Sequence, residues 1–341
     1  MTHAFDVAGL AGRIVDGEPL ALARGISHVE NEAPGFEALL DALYGRPGQA
    51  RRIGITGPPG AGKSTLTAEL ARGYLEAGLT VGIIAVDPTS PFTGGALLGD
   101  RIRMNDLTTL DGIFIRSMAS RGSLGGLATA TREAADLMDA AGYDRVILET
   151  LGVGQSELDI AASADTTAVV LVPESGDGIQ AMKAGLMEVA DLFVINKADR
   201  PGADRLQKEI EVMMAIREGN ALRDIVSHHG ARIDRPPEAD SGARRTPVLQ
   251  TTATTGEGVP DVSSALDEHF DWLEGSGALE TLRADRRVRR THDELVRLAG
   301  RSVLDVWRRR REEIAVQLGA DEVSPYAAAR SLFEEWVDDL S

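Results

Sequence analysis

The pattern of apolar and polar residues changes at Arg51. Before it, apolar residues recur at helical spacing and predict helices over Val7–Asp16, Pro19–Asn31 and Gly35–Tyr44. After it, short β-branched runs alternate with amphipathic stretches. The short runs predict strands over Arg52–Thr56, Val81–Val86, Ile113–Arg116, Val146–Glu149, Thr167–Val172, Leu192–Asn196 and Val248–Thr251. The amphipathic stretches predict helices over Lys63–Ala77, Gly126–Ala141, Ile179–Val189, Asp204–Ile216 and Val259–Leu273.

Alternation of strands and helices predicts an α/β fold with a mostly parallel sheet, covered by helices on both faces. Ligands of such sheets bind beyond the carboxyl ends of the strands. The residues that directly follow each predicted strand are therefore the first place to search for chemistry.

The tail differs from the predicted sheet region. It is dominated by helix formers, is interrupted between Asp321 and Pro325, and predicts a last helix after Pro325. Apolar residues recur along it at helical spacing: Leu295, Leu298, Val303, Val306, Ile314 and Leu318. Such helices need a surface to bury against, on their own domain or on a second subunit. We expect three parts: an N-terminal helical extension over 1–50, a domain built on the sheet over 51–275 and a C-terminal helical arm over 276–341.

A phosphate-binding loop follows the first predicted strand. Residues 57–64 read GPPGAGKS, which fills the pattern G-x-x-x-x-G-K-[ST]. The prolines lack N–H groups, so the backbone donors come from Gly60 onward. Lys63 is expected to bridge the β- and γ-phosphates, and the Ser64 hydroxyl to ligate Mg²⁺. The predicted phosphate-binding set is Gly57, Gly60, Ala61, Gly62, Lys63, Ser64 and Thr65.

A second motif predicts which base the bound nucleotide carries. Asn196-Lys197-Ala198-Asp199 follows the apolar run that ends at Ile195. The Asp199 carboxylate can accept from guanine N1–H and the 2-amino group, and adenine lacks that donor pair. We expect the Lys197 stem to lie along the base and Asn196 to tie this loop to the phosphate loop. Thr252 and Ala253, after the last strand, resemble the backbone loop that contacts the guanine oxygen. The two motifs together predict a site for GTP and GDP.

Acidic residues at strand ends are the candidate magnesium ligands. Glu149 and Gly152 match a D-x-x-G element with glutamate in place of aspartate, so we expect the glycine N–H to sense the γ-phosphate. Asp87 and Asp100 lie on the same predicted edge, although loop acids also serve as surface caps. Ras-like enzymes place a water-orienting glutamine directly after that glycine, and here the position is Val153.

The valine predicts slow intrinsic hydrolysis with acceleration by a partner, since Val153 can neither donate nor accept a hydrogen bond. Gln155 substitutes only if the loop rearranges.

The amino-acid composition excludes several kinds of site and partner. The chain has 341 residues, 43% hydrophobic composition, a net charge of −17 and no cysteine. The absence of cysteine excludes disulfides and thiolate metal ligands. The acidic charge argues against nucleic-acid partners, and we interpret the basic run Arg308–Arg311 as a solvated, ion-paired helix face.

No apolar run is long enough for a membrane span and no signal segment is apparent, so we expect a cytoplasmic protein. We interpret the polar stretch 228–247, with His228 and His229, as a surface loop.

Three stretches resemble the MeaB/ArgK family, which includes the methylmalonic aciduria type A protein. They are Val86–Ser90, the segment from Thr93–Gly95 to Gly99–Arg101, and Glu149–Glu157. The resemblance covers roughly residues 10–340. It implies a SIMIBI-type G domain and a GTPase that chaperones an adenosylcobalamin-dependent acyl-CoA mutase, chiefly methylmalonyl-CoA mutase. In that role GTP hydrolysis gates cofactor loading and protects or reactivates the mutase. The resemblance also implies a homodimer joined by C-terminal helical arms.

The resemblance assigns residues too. The family's magnesium and phosphate positions correspond to Ser64, Asp87, Asp100 and Glu149. Its third switch corresponds to Glu174–Lys183, where Lys183 is expected to swing toward the switch glutamates when the mutase docks. A solvated helix lysine is the other interpretation of Lys183. No D-x-H-x-x-G cobalamin motif occurs, so the cofactor is expected on the partner.

Other functions remain open at this stage. A metallochaperone-type GTPase normally needs a Cys/His cluster, and the absence of cysteine argues against it. A transport-linked kinase needs an acceptor pocket and a catalytic base that the sequence does not reveal. A non-catalytic nucleotide-dependent scaffold differs from an enzyme by phosphate release, which the sequence does not show.

Overall fold

The fold is known from a computed structural model, which describes residues 5–46, 49–87, 106–119, 126–150, 162–174, 184–217, 245–319 and 323–339. The chain separates into two compact units, Met1–Ser276 and Gly277–Ser341. The first contains the N-terminal helices and the sheet, and the second contains the last two helices.

The first unit is built on one seven-stranded sheet. Its strands are β1 Arg51–Thr56, β2 Val81–Asp87, β3 Ile113–Ala119, β4 Arg145–Glu149, β5 Thr166–Leu171, β6 Leu192–Asn196 and β7 Val248–Thr251. Their order is β3-β2-β4-β1-β5-β6-β7, and every pairing is parallel. The predicted α/β class is therefore confirmed. Because all strands point the same way, the segments after β1, β4, β5, β6 and β7 meet at one edge.

Eight helices are described in the first unit and two in the second. They are α1 Val7–Val15, α2 Pro19–Glu30, α3 Phe36–Leu43, α4 Lys63–Glu76, α5 Gly126–Ala140, α6 Ala184–Val189, α7 Ala203–Arg217, α8 Val259–Gly275, α9 Ala278–Gly319 and α10 Pro325–Asp339. The start of the predicted helix Ile179–Val189 lies outside the described residues, as does most of the predicted surface loop 228–247. None of the helices in the described ranges has the length and apolar character needed to cross a bilayer.

Alternate residues of the strands supply two sides of the core, as expected for a parallel sheet covered on both faces. On β2, Ile84 packs with α1–α3 and α5, whereas Ile83 packs with α4 and α8. A third cluster joins β5 and β6 to α6 and α7 through residues such as Phe193 and Ile210. The N-terminal helices thus share a core with the sheet and do not form a separate body.

Paired charges fix helices to the amino ends of the strands, at the edge opposite the predicted site. Arg52 on β1 contacts Asp136 at 2.8 Å and Asp139 at 3.0 Å, both on α5. Burial lowers the pKa of Arg52, but the surrounding carboxylates outweigh it and the pKa is raised above its ordinary value. Arg52 therefore stays charged. Arg145 on β4 contacts Asp267 on α8 at 2.9 Å.

The second unit is a long helix, α9, with α10 packed on it. Trp336 Nε1 donates to Ser302 Oγ at 2.8 Å, and Arg310 pairs with Glu335 at 2.6 Å. Of the 42 residues of α9, only Leu279, Val306 and Ile314 are buried. Large apolar side chains on both helices are exposed: Val288, Leu295, Val296, Leu298, Leu304, Trp307, Val316, Tyr326, Phe333 and Val337.

Candidate nucleotide site

Close backbone approaches explain two of the loop glycines. Gly57, directly after β1, has φ 136°, and a Cβ there would lie 2.0 Å from the Val170 carbonyl oxygen of β5. Gly62 has φ 85°, and a Cβ there would lie 2.3 Å from Asn196 Nδ2. Any side chain at either position would displace a strand or the base loop. The loop is therefore shaped by its contacts with β5 and with Asn196.

Lys63 is the first residue of α4 and is buried beneath the loop. Its Nζ donates to the carbonyl oxygens of Gly57 at 2.8 Å and Pro58 at 3.0 Å. Together with the helix N-terminus that it begins, the ammonium gives the loop a positive field suited to phosphate. Gly60 and Pro59 are exposed, Ala61 is buried, and Thr65 is half-buried in the first turn. The phosphate-binding residues are thus gathered around one helix start.

Ser64 and Glu149 meet at the centre of this edge. The Ser64 hydroxyl donates to Glu149 Oε1 at 2.5 Å, and Glu149, the last residue of β4, is 2% exposed. Two oxygen ligands beside a phosphate loop are a donor set that suits Mg²⁺. Within the described ranges, no group of three or more His, Cys, Asp or Glu residues could hold a metal.

A buried contact fixes the residue after Glu149. The Thr150 hydroxyl donates to Thr56 Oγ1 at 3.1 Å, and its N–H donates to the Ile55 carbonyl oxygen at 3.0 Å. The start of the D-x-x-G-like element is thereby bound to the end of β1, directly before the phosphate loop.

Asn196 ties three segments together. Its Nδ2 donates to the Ala61 carbonyl oxygen at 2.9 Å, and its Oδ1 accepts from Thr251 Oγ1 at 3.2 Å and from Ala253 N at 3.1 Å. The side chain is 2% exposed. One residue of the base motif therefore joins the phosphate loop to the loop after β7.

Lys197 and Asp199 complete the base loop. Lys197 has φ 58°, and its Nζ donates to the Gly60 carbonyl oxygen at 2.8 Å. Asp199 is exposed at the rim. On the other side, Thr252 is held by the donation of its N–H to the Glu257 carbonyl oxygen at 2.9 Å.

The structure brings together the sequence-predicted residues that it describes: Gly57, Gly60, Ala61, Gly62, Lys63, Ser64, Thr65, Glu149, Asn196, Lys197, Asp199, Thr252 and Ala253. Asp100, Gly152, Gln155 and Lys183 lie outside the described residues, and of Asp87 only the backbone, at the end of β2, is described.

One ion pair at this edge has no signal in the sequence. Arg200, directly after Asp199, donates from Nη1 to Glu174 Oε1, beyond the end of β5. This hydrogen bond lowers the pKa of Glu174 below its ordinary value. Only the spatial neighbourhood of β5 and β6 brings the two residues together.

Comparison with known proteins agrees with this geometry. The family model described as "Methylmalonyl Co-A mutase-associated GTPase MeaB" matches residues 22–307. The chain belongs to the MeaB family. A Pyrococcus abyssi protein named as a GTPase is 43% identical over 96% of this chain and 95% of its own length. The "Methylmalonic aciduria type A homolog, mitochondrial" of Caenorhabditis elegans is 33% identical over 82% of this chain and 70% of its own length.

A solved structure supports the same fold. The crystal structure of a protein named "LAO/AO transport system kinase" superposes with a TM-score of 0.67 at 28% identity, covering 98% of each chain. Family, fold and phosphate loop agree, and the MeaB-family chain is a P-loop GTPase that binds guanine nucleotides. The helical arm predicted from the tail is present as α9 and α10.

Proposed function

We propose that this GTPase is a G-protein chaperone of an adenosylcobalamin-dependent acyl-CoA mutase of the methylmalonyl-CoA mutase type. GTP binding and hydrolysis gate loading of the cofactor and protect or reactivate the mutase. The observation that carries the proposal is the family match over residues 22–307, because that family is named for its association with the mutase. The similarity to a methylmalonic aciduria type A homolog adds support. We place the protein in the cytoplasm, and cobalamin on the mutase.

The phosphates bind at the start of α4. Backbone N–H groups from Gly62 to Thr65 would donate to the β-phosphate, aided by the helix dipole. The Ala61 N–H is bound to the Pro58 carbonyl oxygen at 3.2 Å. The Lys63 ammonium already lies against the loop carbonyls. From there it reaches the β- and γ-phosphates and offsets their charge as the bond to the γ-phosphate breaks.

Ser64 and Glu149 would hold Mg²⁺, together with Asp87 and Asp100. The 2.5 Å hydrogen bond between the Ser64 hydroxyl and Glu149 supports this assignment, because it places the two oxygen ligands side by side. When bound, Mg²⁺ neutralises charge on the β- and γ-phosphates. The burial of Glu149 shields its carboxylate from bulk water.

Guanine binds between Lys197 and the loop after β7. Asp199 accepts from N1–H and the 2-amino group, and Thr252 and Ala253 lie beside the guanine oxygen. Asn196 positions both loops through its three hydrogen bonds. Adenine would leave the Asp199 carboxylate facing a lone pair, so we expect selectivity for guanine by a factor of up to about 10⁴.

Hydrolysis is slow without a partner because Val153 takes the place of a water-orienting glutamine. Gly152 senses the γ-phosphate, and Gln155 and Lys183 enter the site only when the mutase rearranges the switches. The hydrogen bond between Thr150 and Thr56 fixes the start of the D-x-x-G-like element to the end of β1.

The arm forms a homodimer. Helices α9 and α10 expose large apolar side chains, of which Val316 is 72% and Tyr326 86% exposed. Exposed apolar side chains in this number favour burial against a partner surface. A second copy of the arm supplies it.

The test is nucleotide-dependent binding to purified methylmalonyl-CoA mutase from the same source. We expect the affinity with GDP and with a non-hydrolysable GTP analogue to differ by about fivefold or more, a typical coupling free energy. Lys63→Ala, which removes the phosphate contact, is expected to abolish the difference. Equal affinity in both nucleotide states, or no complex, would contradict the proposal.

A second candidate function is phosphate transfer, because the protein of the similar crystal structure is named a transport-system kinase. In that case the γ-phosphate would pass to an acceptor and not to water. Labelled γ-phosphate separates the two functions: the chaperone releases all label as inorganic phosphate, and a kinase transfers label to a basic amino acid or to a protein.

A further inference from the structure

One ion pair joins the base loop to the neighbouring strand. Strands β5 and β6 are parallel neighbours. Glu174 lies just beyond the end of β5 and Arg200 just beyond the end of β6, where the Arg200 Nη1 donates to Glu174 Oε1. The Arg200 N–H donates to the Lys197 carbonyl oxygen at 3.0 Å, so Arg200 belongs to the same turn as the base motif.

Arg200 carries the hydrogen-bond donors that guanine carries. A guanidinium presents two parallel N–H groups that fit a carboxylate bidentately. The N1–H and 2-amino group of guanine present the same arrangement. Arg200 is the direct neighbour of Asp199. The hydrogen bond to Glu174 raises the pKa of Arg200, and the charge of Asp199 raises it to a smaller degree. Arg200 therefore has the chemistry to occupy the guanine acceptor.

Glu174 keeps that acceptor open. Within the part of the chain that the structure describes, the Asp199 carboxylate makes no hydrogen bond, because Arg200 is bound to Glu174 and Lys197 to the Gly60 carbonyl oxygen. We infer that Arg200 is an internal competitor of guanine and that Glu174 is a specificity-determining residue that holds Arg200 away from Asp199. This inference rests on the proposed recognition of guanine by Asp199.

The direction in which nucleotide affinity changes when Glu174 is neutralised separates this inference from a simple effect of charge. Glu174 is an acid near a bound polyanion, so its neutralisation would strengthen nucleotide binding if only charge mattered. The inference predicts weaker binding, because the freed guanidinium pairs with Asp199. The pair is about half exposed, so the competition is modest and sensitive to salt.

The test measures the dissociation constant of a fluorescent GDP analogue for four variants of the full chain. We expect Glu174→Gln to weaken binding about two- to fivefold, the range open to an exposed ion pair. Arg200→Gln alone is expected to bind like the parent protein, and the double variant to recover parental affinity. Glu209→Gln, which breaks the exposed pair of Glu209 with Arg205 on α7, is the matched control and is expected to change nothing. The defect of Glu174→Gln is expected to shrink in about 1 M salt.

Unchanged or tighter binding by Glu174→Gln would overturn the inference, and so would a double variant that stays as weak as Glu174→Gln. Asp199→Asn separates this failure from failure of the proposed function. If Asp199 recognises guanine, this variant exchanges GDP preference for xanthosine diphosphate preference, since its amide donates to the 2-oxo group. If Asp199→Asn keeps its preference for GDP, the recognition of guanine by Asp199 itself is overturned. If Asp199→Asn prefers xanthosine diphosphate but Glu174→Gln binds GDP like the parent protein, only the role of Glu174 is overturned.

Discussion

At the scale of single residues, Asn196 connects the two halves of the nucleotide site. Its amide contacts the phosphate loop through Ala61 and the loop after β7 through Thr251 and Ala253. The sequence predicts the first of these contacts because the base motif and the phosphate loop each follow a strand of one parallel sheet. The Arg200–Glu174 pair cannot be predicted in this way, because no local sequence pattern indicates which side chains after β5 and β6 contact each other.

Replacing Asn196 with alanine is expected to destabilise the fold by about 2–4 kcal/mol, because the buried Ala61 carbonyl and Ala253 N–H both lose their partner. Urea unfolding measures the change. Asn31→Ala is the matched control: the Asn31 amide donates to the Ser27 carbonyl oxygen at 2.6 Å, but on an exposed helix end. We expect its cost to stay within about 1 kcal/mol. Equal costs at the two positions would contradict the connecting role of Asn196.

At the scale of elements, patterning predicts the strands well where a run is wholly buried. The predicted bounds of β6, which is buried throughout, agree with the structure because the apolar run and the strand coincide. Those of the half-buried β7 agree as well. β3 extends to Ala119, beyond the predicted Arg116. Its last residues have weak strand propensity, and pairing with β2 keeps them extended. The order of the strands depends on long-range pairing that no local pattern encodes.

Arg52→Met tests how α5 is fixed to β1. We expect a loss of about 3–5 kcal/mol, because Asp139, whose side chain is wholly buried, would lose its countercharge. Arg205→Met removes an exposed pair on α7 and is expected to leave the stability almost unchanged. Thermal or urea unfolding compares the two variants. A cost for Arg52→Met as small as that for Arg205→Met would mean that the pair does not fix the helix.

At the scale of the whole molecule, the two compact units suggest different tasks. The three apolar clusters of the core consist wholly of residues that precede Gly277. The second unit buries few residues and exposes many apolar ones. The sequence predicts the helical arm from composition and spacing, but its division from the sheet unit depends on contacts across the chain.

Deleting residues 277–341 is expected to convert a dimer into a monomer and to leave GDP affinity within about twofold, since the first unit keeps its own core. Light scattering after size exclusion gives the mass, and fluorescent GDP titration gives the affinity. A shortened chain that remains dimeric would place the dimer interface on the sheet unit. The mutase-dependent rise in hydrolysis can then be compared between monomer and dimer.

The central claim is that a mutase controls this GTPase. The most direct measurement is steady-state phosphate release from GTP by the purified protein, with and without an adenosylcobalamin-dependent acyl-CoA mutase from the same source. We predict a rate below about 1 s⁻¹ alone, because Val153 cannot orient water, and a rise of several-fold or more with the mutase. No rise, despite tight guanine-nucleotide binding, would contradict the chaperone function.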